Sequence, residues 1–137
     1  MKVLFVCSGN AYRSPVAEAL LKKYAPWVEV DSAGTLPITV VSESARRFLL
    51  RENATDGLKQ RSEGIWEKPL ADYDLIVVME MGHKYAVMSR CPECAERIEV
   101  WEIEDPYYTS AGFEEKVFLE IKRRVLELAE RLRALDS

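Results

Sequence analysis

Four short apolar runs alternate with helical patterns along this chain, and that alternation limits the possible folds more than any other feature of the sequence. The runs have the length of strands and cover residues 3–6, 28–35, 74–80 and 97–103. A helix after every strand favours parallel pairing, because parallel neighbours need a crossover connection. We therefore expect an α/β fold of a single small domain, residues 1–137, in which a four-stranded parallel sheet carries helices on both faces.

The helical patterns have recognisable boundaries. Ser14 and Pro15 are typical of an N-cap and a first helical position, and this helix is expected to run to about Ala25. Shorter patterns predict helices over residues 42–51 and 82–90. The final pattern predicts one long amphipathic helix, because its apolar residues recur every three or four positions. These residues are Phe113, Val117, Ile121, Val125, Leu128, Leu132 and Leu135.

The composition, with 48% hydrophobic and 31% charged residues, is that of a soluble globular protein. No run approaches the roughly 20 apolar residues of a membrane span, and the start MKVLFVC is too short for a signal peptide. We therefore expect a cytoplasmic protein without a membrane partner. The net charge of −4 argues against nucleic acid as a partner, because phosphate backbones attract basic surfaces. A monomer is compatible with the sequence.

The loop after the first strand has residues suited to holding a phosphate. It consists of Cys7, Ser8, Gly9, Asn10, Ala11, Tyr12, Arg13 and Ser14. Gly9 allows a positive φ and Asn10 tolerates one, so successive N–H groups can point inward in front of the helix N-terminus. Arg13 can close over the anion with a bidentate guanidinium. Residues 8–14 are thus the predicted phosphate-binding residues.

The same donors and positive charges favour the thiolate of Cys7. A thiolate beneath a bound phosphate is a nucleophile directed at phosphorus. A hydroxyl from Ser14 would support that thiolate when it leaves a phosphocysteine. The competing structural interpretation is an ordinary Gly-Asn turn followed by a Ser-Pro helix start.

The stretch VCSGNAYRSPVAEALL resembles the signature C-x-G-N-x-C-R-S-P of the low-molecular-weight protein tyrosine phosphatases. DSAGT at residues 31–35 and IEDPYY at residues 103–108 are similar to two further landmarks of that family. The resemblance implies hydrolysis of a phosphotyrosine-containing protein or a small aryl phosphate through a phosphocysteine, without metal or cofactor. It also implies that phosphate or vanadate inhibits this hydrolysis.

The resemblance assigns roles to residues. It makes Cys7 the nucleophile, Arg13 the phosphate clamp, Asn10 the residue that holds the loop in shape, Ser14 the support of the leaving thiolate, and Asp105 the general acid. Asp105 is also plausible on chemical grounds, because a carboxyl group at the end of the fourth strand can protonate a leaving phenolate and then activate water.

The resemblance further implies that two adjacent tyrosines, Tyr107 and Tyr108, form the walls around the substrate ring. Tyr12 stands where the family has a second loop cysteine, so the protective disulfide between Cys7 and that position cannot form in this chain. The Tyr12 ring is expected to point either into the core or along the rim of the cleft.

Three cysteines leave at least one thiol free. Cys91 and Cys94 are a poor zinc site, because the chain has one histidine and no second cysteine pair. Three other roles of Cys91 and Cys94 are compatible with the sequence: a local disulfide, a redox pair, or simple packing. The pair raises a rival hypothesis, a thioredoxin-linked arsenate reductase, although relay cysteines there are more widely spaced. His83, alone at a polar helix start, is predicted to lie on the surface.

Two more classes of protein have a loop of this kind. Phosphoarginine phosphatases of the same family carry Thr where this chain has Ala11, and they lack the paired tyrosines. A non-enzymatic phosphate-binding module would be favoured by loss of Cys7, Arg13 or Asp105, and all three residues are present.

Overall fold

The computed structural model describes residues 1–38, 40–106 and 111–136. Its strands are β1 (Lys2–Cys7), β2 (Glu29–Gly34), β3 (Leu75–Val78) and β4 (Ile98–Val100). Its α-helices are α1 (Arg13–Tyr24), α2 (Glu43–Arg51), α3 (Met81–Arg90) and α4 (Ala111–Asp136). This order is the predicted alternation of strand and helix.

The strands form one parallel sheet with the order β2-β1-β3-β4. Val3 of β1 pairs with Val30 on one side and with Leu75 on the other. The chain therefore winds outward in one direction to β2 and in the other direction to β3 and β4. β1 and β3 flank the point where the winding reverses, and such sheets bind ligands beyond the carboxyl ends of the strands at that point.

Two apolar clusters cover the two faces of the sheet, which confirms the predicted arrangement of layers. Val3 and Phe5 point into the larger cluster together with residues of α1, α2 and α4. Leu4 and Val6 point into the smaller cluster together with Val87 of α3. The alternation follows from the two-residue period of a strand, and both faces are apolar because both are covered.

The predicted stripe of α4 is buried from Val117 to Leu132, whereas Leu135 is exposed. In the part of the chain that the structure describes, no helix combines the length and the apolar character needed to cross a membrane.

Several boundaries differ from the sequence-based expectation, among them the end of β3 at Val78 rather than at residue 80, and two of the differences have a physical reason. α1 begins at Arg13 with Tyr12 as its N-cap, so the assignment of Ser14 as N-cap was wrong. The Ser14 hydroxyl instead contacts Cys7 and Asn10. β4 ends at Val100, before the left-handed backbone of Glu102 with φ 54° interrupts the extended chain.

Candidate active site

The loop between β1 and α1 turns its carbonyl groups outward. The carbonyls of residues 7, 8 and 9 accept hydrogen bonds of 2.9 to 3.1 Å from backbone amides of the segment 35–38. The Ala11 carbonyl accepts a 2.9 Å bond from the Ser42 amide. In a trans peptide the N–H points opposite to the preceding C=O, so the amides that follow these carbonyls face the inside of the loop. Inward amides of this kind are able to bind an anion.

Asn10 holds the loop in this conformation. Its φ is 52°, so of the two residues at which the sequence allows a left-handed turn, Asn10 adopts it and Gly9 does not. The buried Asn10 amide donates to Ser14 Oγ at 2.8 Å and Ser32 Oγ at 3.0 Å, and its Oδ1 accepts from the Glu63 N–H at 2.8 Å. These bonds hold an otherwise unfavourable backbone state.

Gly34 lets β2 approach the loop closely. A Cβ atom on Gly34 would lie 2.4 Å from the carbonyl oxygen of Ser8 and 3.0 Å from the amide nitrogen of Asn10. No side chain fits there without moving the loop. The glycine of DSAGT is therefore explained by this contact.

Cys7 is buried and lines a cavity of about 220 Å³. Its Sγ is 2.9 Å from Ser14 Oγ and accepts the Asn10 backbone N–H at 3.3 Å. The cavity is lined by Cys7, Ser8, Gly9, Ala11, Tyr12, Arg13, Leu36, Ile38 and Asp105. Two of the predicted phosphate-binding residues, Asn10 and Ser14, are completely buried behind this surface.

Arg13 is 1% exposed and is held from several sides. One terminal nitrogen donates to the Ile103 carbonyl at 2.6 Å and to Glu80 Oε2 at 2.7 Å. The other lies 3.5 Å from Asp105 Oδ2 and 3.4 Å from Ser8 Oγ. The guanidinium is therefore oriented beside the cavity before any anion enters.

His83 is 4% exposed, so its predicted surface position was wrong. Its Nε2 lies 2.9 Å from Ser8 Oγ, and its Nδ1 accepts the Glu80 backbone N–H at 3.1 Å. Burial and, next, the Arg13 cation lower the pKa of His83 to about 4, so the ring is neutral. Sequence reasoning missed both Glu80 and His83. They follow β3, the neighbour of β1 at the ligand edge of the sheet, and that placement was the available signal.

Asp105 is brought to Cys7 and Arg13 as the sequence predicted. Its side chain is 23% exposed and lines the same cavity. Tyr107 and Tyr108 lie outside the described residues. Tyr12 lines the cavity and also packs against the larger apolar cluster, so both expected positions of its ring apply.

Cys91 and Cys94 form a disulfide, and Cys7 is free. The pair follows the C-terminal end of α3, whereas Glu80 and His83 lie at its N-terminal end. Ten residues of α-helix span about 15 Å. The disulfide is thus remote from the Cys7 loop. No group of three or more His, Cys, Asp or Glu side chains able to hold a metal ion occurs among the described residues.

Comparison with known proteins gives one consistent result. The family model described as low molecular weight phosphotyrosine protein phosphatase matches residues 2–136. The low molecular weight protein-tyrosine-phosphatase Etp of Escherichia coli K12 is 33% identical over 138 residues, covering 95% of this chain and 93% of Etp.

Two solved structures are similar over nearly their whole length. Wzb of Vibrio vulnificus, in complex with benzylphosphonate, has a TM-score of 0.84 at 28% identity and covers 95% of this chain and 97% of its own. The YwlE arginine phosphatase, in a variant with a phosphorylated active-site serine, has a TM-score of 0.85 at 25% identity and covers 97% of this chain and 96% of its own.

Proposed function

The chain belongs to the low molecular weight phosphotyrosine protein phosphatase family, and from that premise we propose that it hydrolyses phosphotyrosine and small aryl phosphates through a phosphocysteine on Cys7. The single observation that carries this proposal is the position of the Cys7 thiol. It lines the same cavity as the buried Arg13, in a loop with inward amides, and has a serine hydroxyl at 2.9 Å.

In the first step the Cys7 thiolate attacks phosphorus, and the bond from phosphorus to the phenolic oxygen breaks. The inward amides and Arg13 stabilise the charge on the equatorial oxygens of the phosphoryl group. The Asp105 carboxyl donates its proton to the departing phenolate. Asp105 suits this role because it lines the same cavity as Cys7.

In the second step water attacks the phosphocysteine. Asp105, now a carboxylate, takes a proton from the water, and the Cys7 thiolate leaves with support from the Ser14 hydroxyl. Inorganic phosphate is released. No metal or cofactor takes part in the proposed reaction, which needs a reduced Cys7. A cytoplasmic location would keep Cys7 reduced, but the Cys91–Cys94 disulfide is of a kind that is rare in that compartment.

The similarity to YwlE supports phosphoarginine as a second candidate substrate. The residue that would distinguish the two, Ala11, is buried and lines the cavity. Its methyl group adds no polar partner for a guanidinium N–H. Tyr12, Leu36 and Ile38 give the cavity apolar walls, which suit a phenyl ring better than a charged guanidinium. We therefore favour phosphotyrosine.

The test compares wild type and C7S on a phosphotyrosine peptide and a phosphoarginine peptide, with arsenate reduction measured in parallel. We expect turnover of the tyrosine substrate by wild type and none by C7S, which should still bind phosphate. Faster hydrolysis of the phosphoarginine peptide would overturn the choice of phosphotyrosine as substrate, and turnover by C7S would overturn the role of Cys7 as nucleophile. Arsenate reduction would favour the reductase, although the Cys91–Cys94 pair lies at the opposite end of α3 from Glu80 and His83, which are beside the site.

A further inference from the structure

The hydrogen bonds around His83 fix which nitrogen of its ring has the proton. Nδ1 accepts the backbone N–H of Glu80, so in the neutral ring the proton is on Nε2. Nε2 therefore donates to Ser8 Oγ, 2.9 Å away. Because the pKa of the buried ring is low, the ring stays neutral through the neutral pH range, and its hydrogen bond with the Glu80 amide selects this tautomer.

Ser8 Oγ receives a second donor, the Arg13 guanidinium, at 3.4 Å. A hydroxyl oxygen has two lone pairs and one proton. His83 and Arg13 donate to the two lone pairs of Ser8 Oγ, so the hydroxyl proton of Ser8 must point in a third direction. Ser8 lines the same cavity as Cys7, and an anion bound there would supply the acceptor that this proton does not have in the two contacts of Ser8 Oγ with His83 and Arg13.

We propose that the Ser8 side chain is a phosphate-binding group of this site, whose O–H donates to a phosphoryl oxygen, and that His83 is the positioning residue that directs it. The proposal rests on the proposed function for the identity of the anion. Ser8 would then offer the anion two donors, its side-chain hydroxyl and its backbone N–H. The donor carries no net charge, and its orientation is set before the anion arrives.

Inorganic phosphate binding, measured by calorimetry on the whole protein, tests Ser8 without requiring turnover. S8A should weaken phosphate binding about tenfold, because a hydrogen bond to a charged group is lost. S8T keeps the hydroxyl and should bind within about threefold of wild type. The matched control is S89A, which removes an exposed serine hydroxyl from the helix of His83 and should have no effect.

Two variants of His83 separate direction of the hydroxyl from simple support of the fold. H83Q places an amide donor near the former Nε2 and should bind phosphate within about twofold of wild type. H83N retains an acceptor for the Glu80 amide but has no donor for Ser8. Its Ser8 hydroxyl is free to occupy three staggered positions, so binding should weaken about threefold. The S8A/H83N variant should be no weaker than S8A.

The outcomes are distinct. Phosphate binding by S8A within twofold of wild type would overturn the role of the hydroxyl. An additive loss in S8A/H83N, or equal losses in H83Q and H83N with unchanged thermal stability, would overturn the role of His83. Failure of wild type to hydrolyse any phosphoester, with these binding differences intact, would instead contradict the proposed function alone.

Discussion

The Sγ atom of Cys7 lies 2.9 Å from the Oγ atom of Ser14 inside a completely buried contact. Ser14 Oγ also accepts a hydrogen bond from the Asn10 side-chain amide, so its own proton is available to the sulfur. A second acceptor, the Ala33 carbonyl, is more distant at 3.5 Å. In the proposed reaction this contact gives the leaving sulfur a hydrogen-bond donor.

Removing this hydroxyl should slow the second chemical step most. In S14A, we expect breakdown of the phosphocysteine to fall by about 10- to 100-fold, because a hydrogen bond to a charged sulfur is lost. Rapid-mixing kinetics with a nitrophenyl phosphate should show a larger burst relative to the steady-state rate. S14T is the control that keeps the hydroxyl. A steady-state rate in S14A equal to that of wild type would show that Ser14 only packs.

Gly34 should tolerate no side chain. In G34A, the new Cβ would meet the Ser8 carbonyl at 2.4 Å, so the loop must shift. We expect aryl phosphate hydrolysis to fall by at least about 100-fold, since small displacements of reacting groups have effects of that size. The control is G112A, where a Cβ meets nothing within 4 Å. Equal activity in G34A and G112A would contradict the structural explanation of DSAGT.

The sequence predicted the alternation of elements, the parallel sheet and the convergence of Cys7, Arg13 and Asp105. The predictions of the fold were confirmed because strand length and helical period are properties of short segments, whereas the grouping of Cys7, Arg13 and Asp105 was implied by the family resemblance. It did not predict the positions of Glu80 and His83. Their burial depends on β3 lying beside β1, and strand order follows from packing of the whole domain rather than from local pattern.

Ser14 shows a second kind of limit. A serine before a proline is typical of an N-cap, yet its hydroxyl contacts Cys7 and Asn10 instead. Local propensity was outweighed by a tertiary contact at the functional site. Tertiary contacts also decide which loop residue takes the left-handed turn. A glycine usually supplies such a turn, but here the side-chain hydrogen bonds of Asn10 hold Asn10 in it.

The neutral His83 predicts a pH dependence of stability. Its pKa is lowered to about 4 by burial, against 6.5 when exposed. Between these values the unfolded chain binds a proton that the folded protein does not, so stability falls as pH decreases through this window, by at most about 3 kcal/mol. Urea unfolding should show a smaller loss between about pH 7 and about pH 4.5 in H83Q than in wild type. Parallel curves would contradict the buried neutral ring.

The disulfide should matter for stability and not for catalysis. Joining Cys91 to Cys94 closes a very short loop, so losing the cross-link should lower the free energy of unfolding by at most about 2 kcal/mol, and replacing both buried residues by alanine tests this without burying a hydroxyl. Phosphatase activity should stay within about twofold, because the pair follows the C-terminal end of α3, whereas Glu80 and His83 beside the site lie at its N-terminal end. After peroxide treatment, mass spectrometry should find no bond from Cys7 to either cysteine. Such a bond would revive the arsenate reductase hypothesis.

Asp105 is tested through the leaving group that it serves. General acid help contributes about 10²–10⁴ in rate, and most where the departing oxygen is a poor leaving group. Phosphoryl transfer passes through a loose transition state, so negative charge accumulates on that oxygen before the bond to Cys7 is complete. D105N keeps the shape of the side chain but has no proton to give. It should therefore slow phosphorylation by phenyl phosphate heavily and by an activated nitrophenyl ester less. Because the same carboxylate should activate water later, burst kinetics are needed to isolate phosphorylation. The phosphorylation rate of D105N should depend more steeply on leaving-group pKa than that of wild type, and an unchanged dependence would mean that another group supplies the proton.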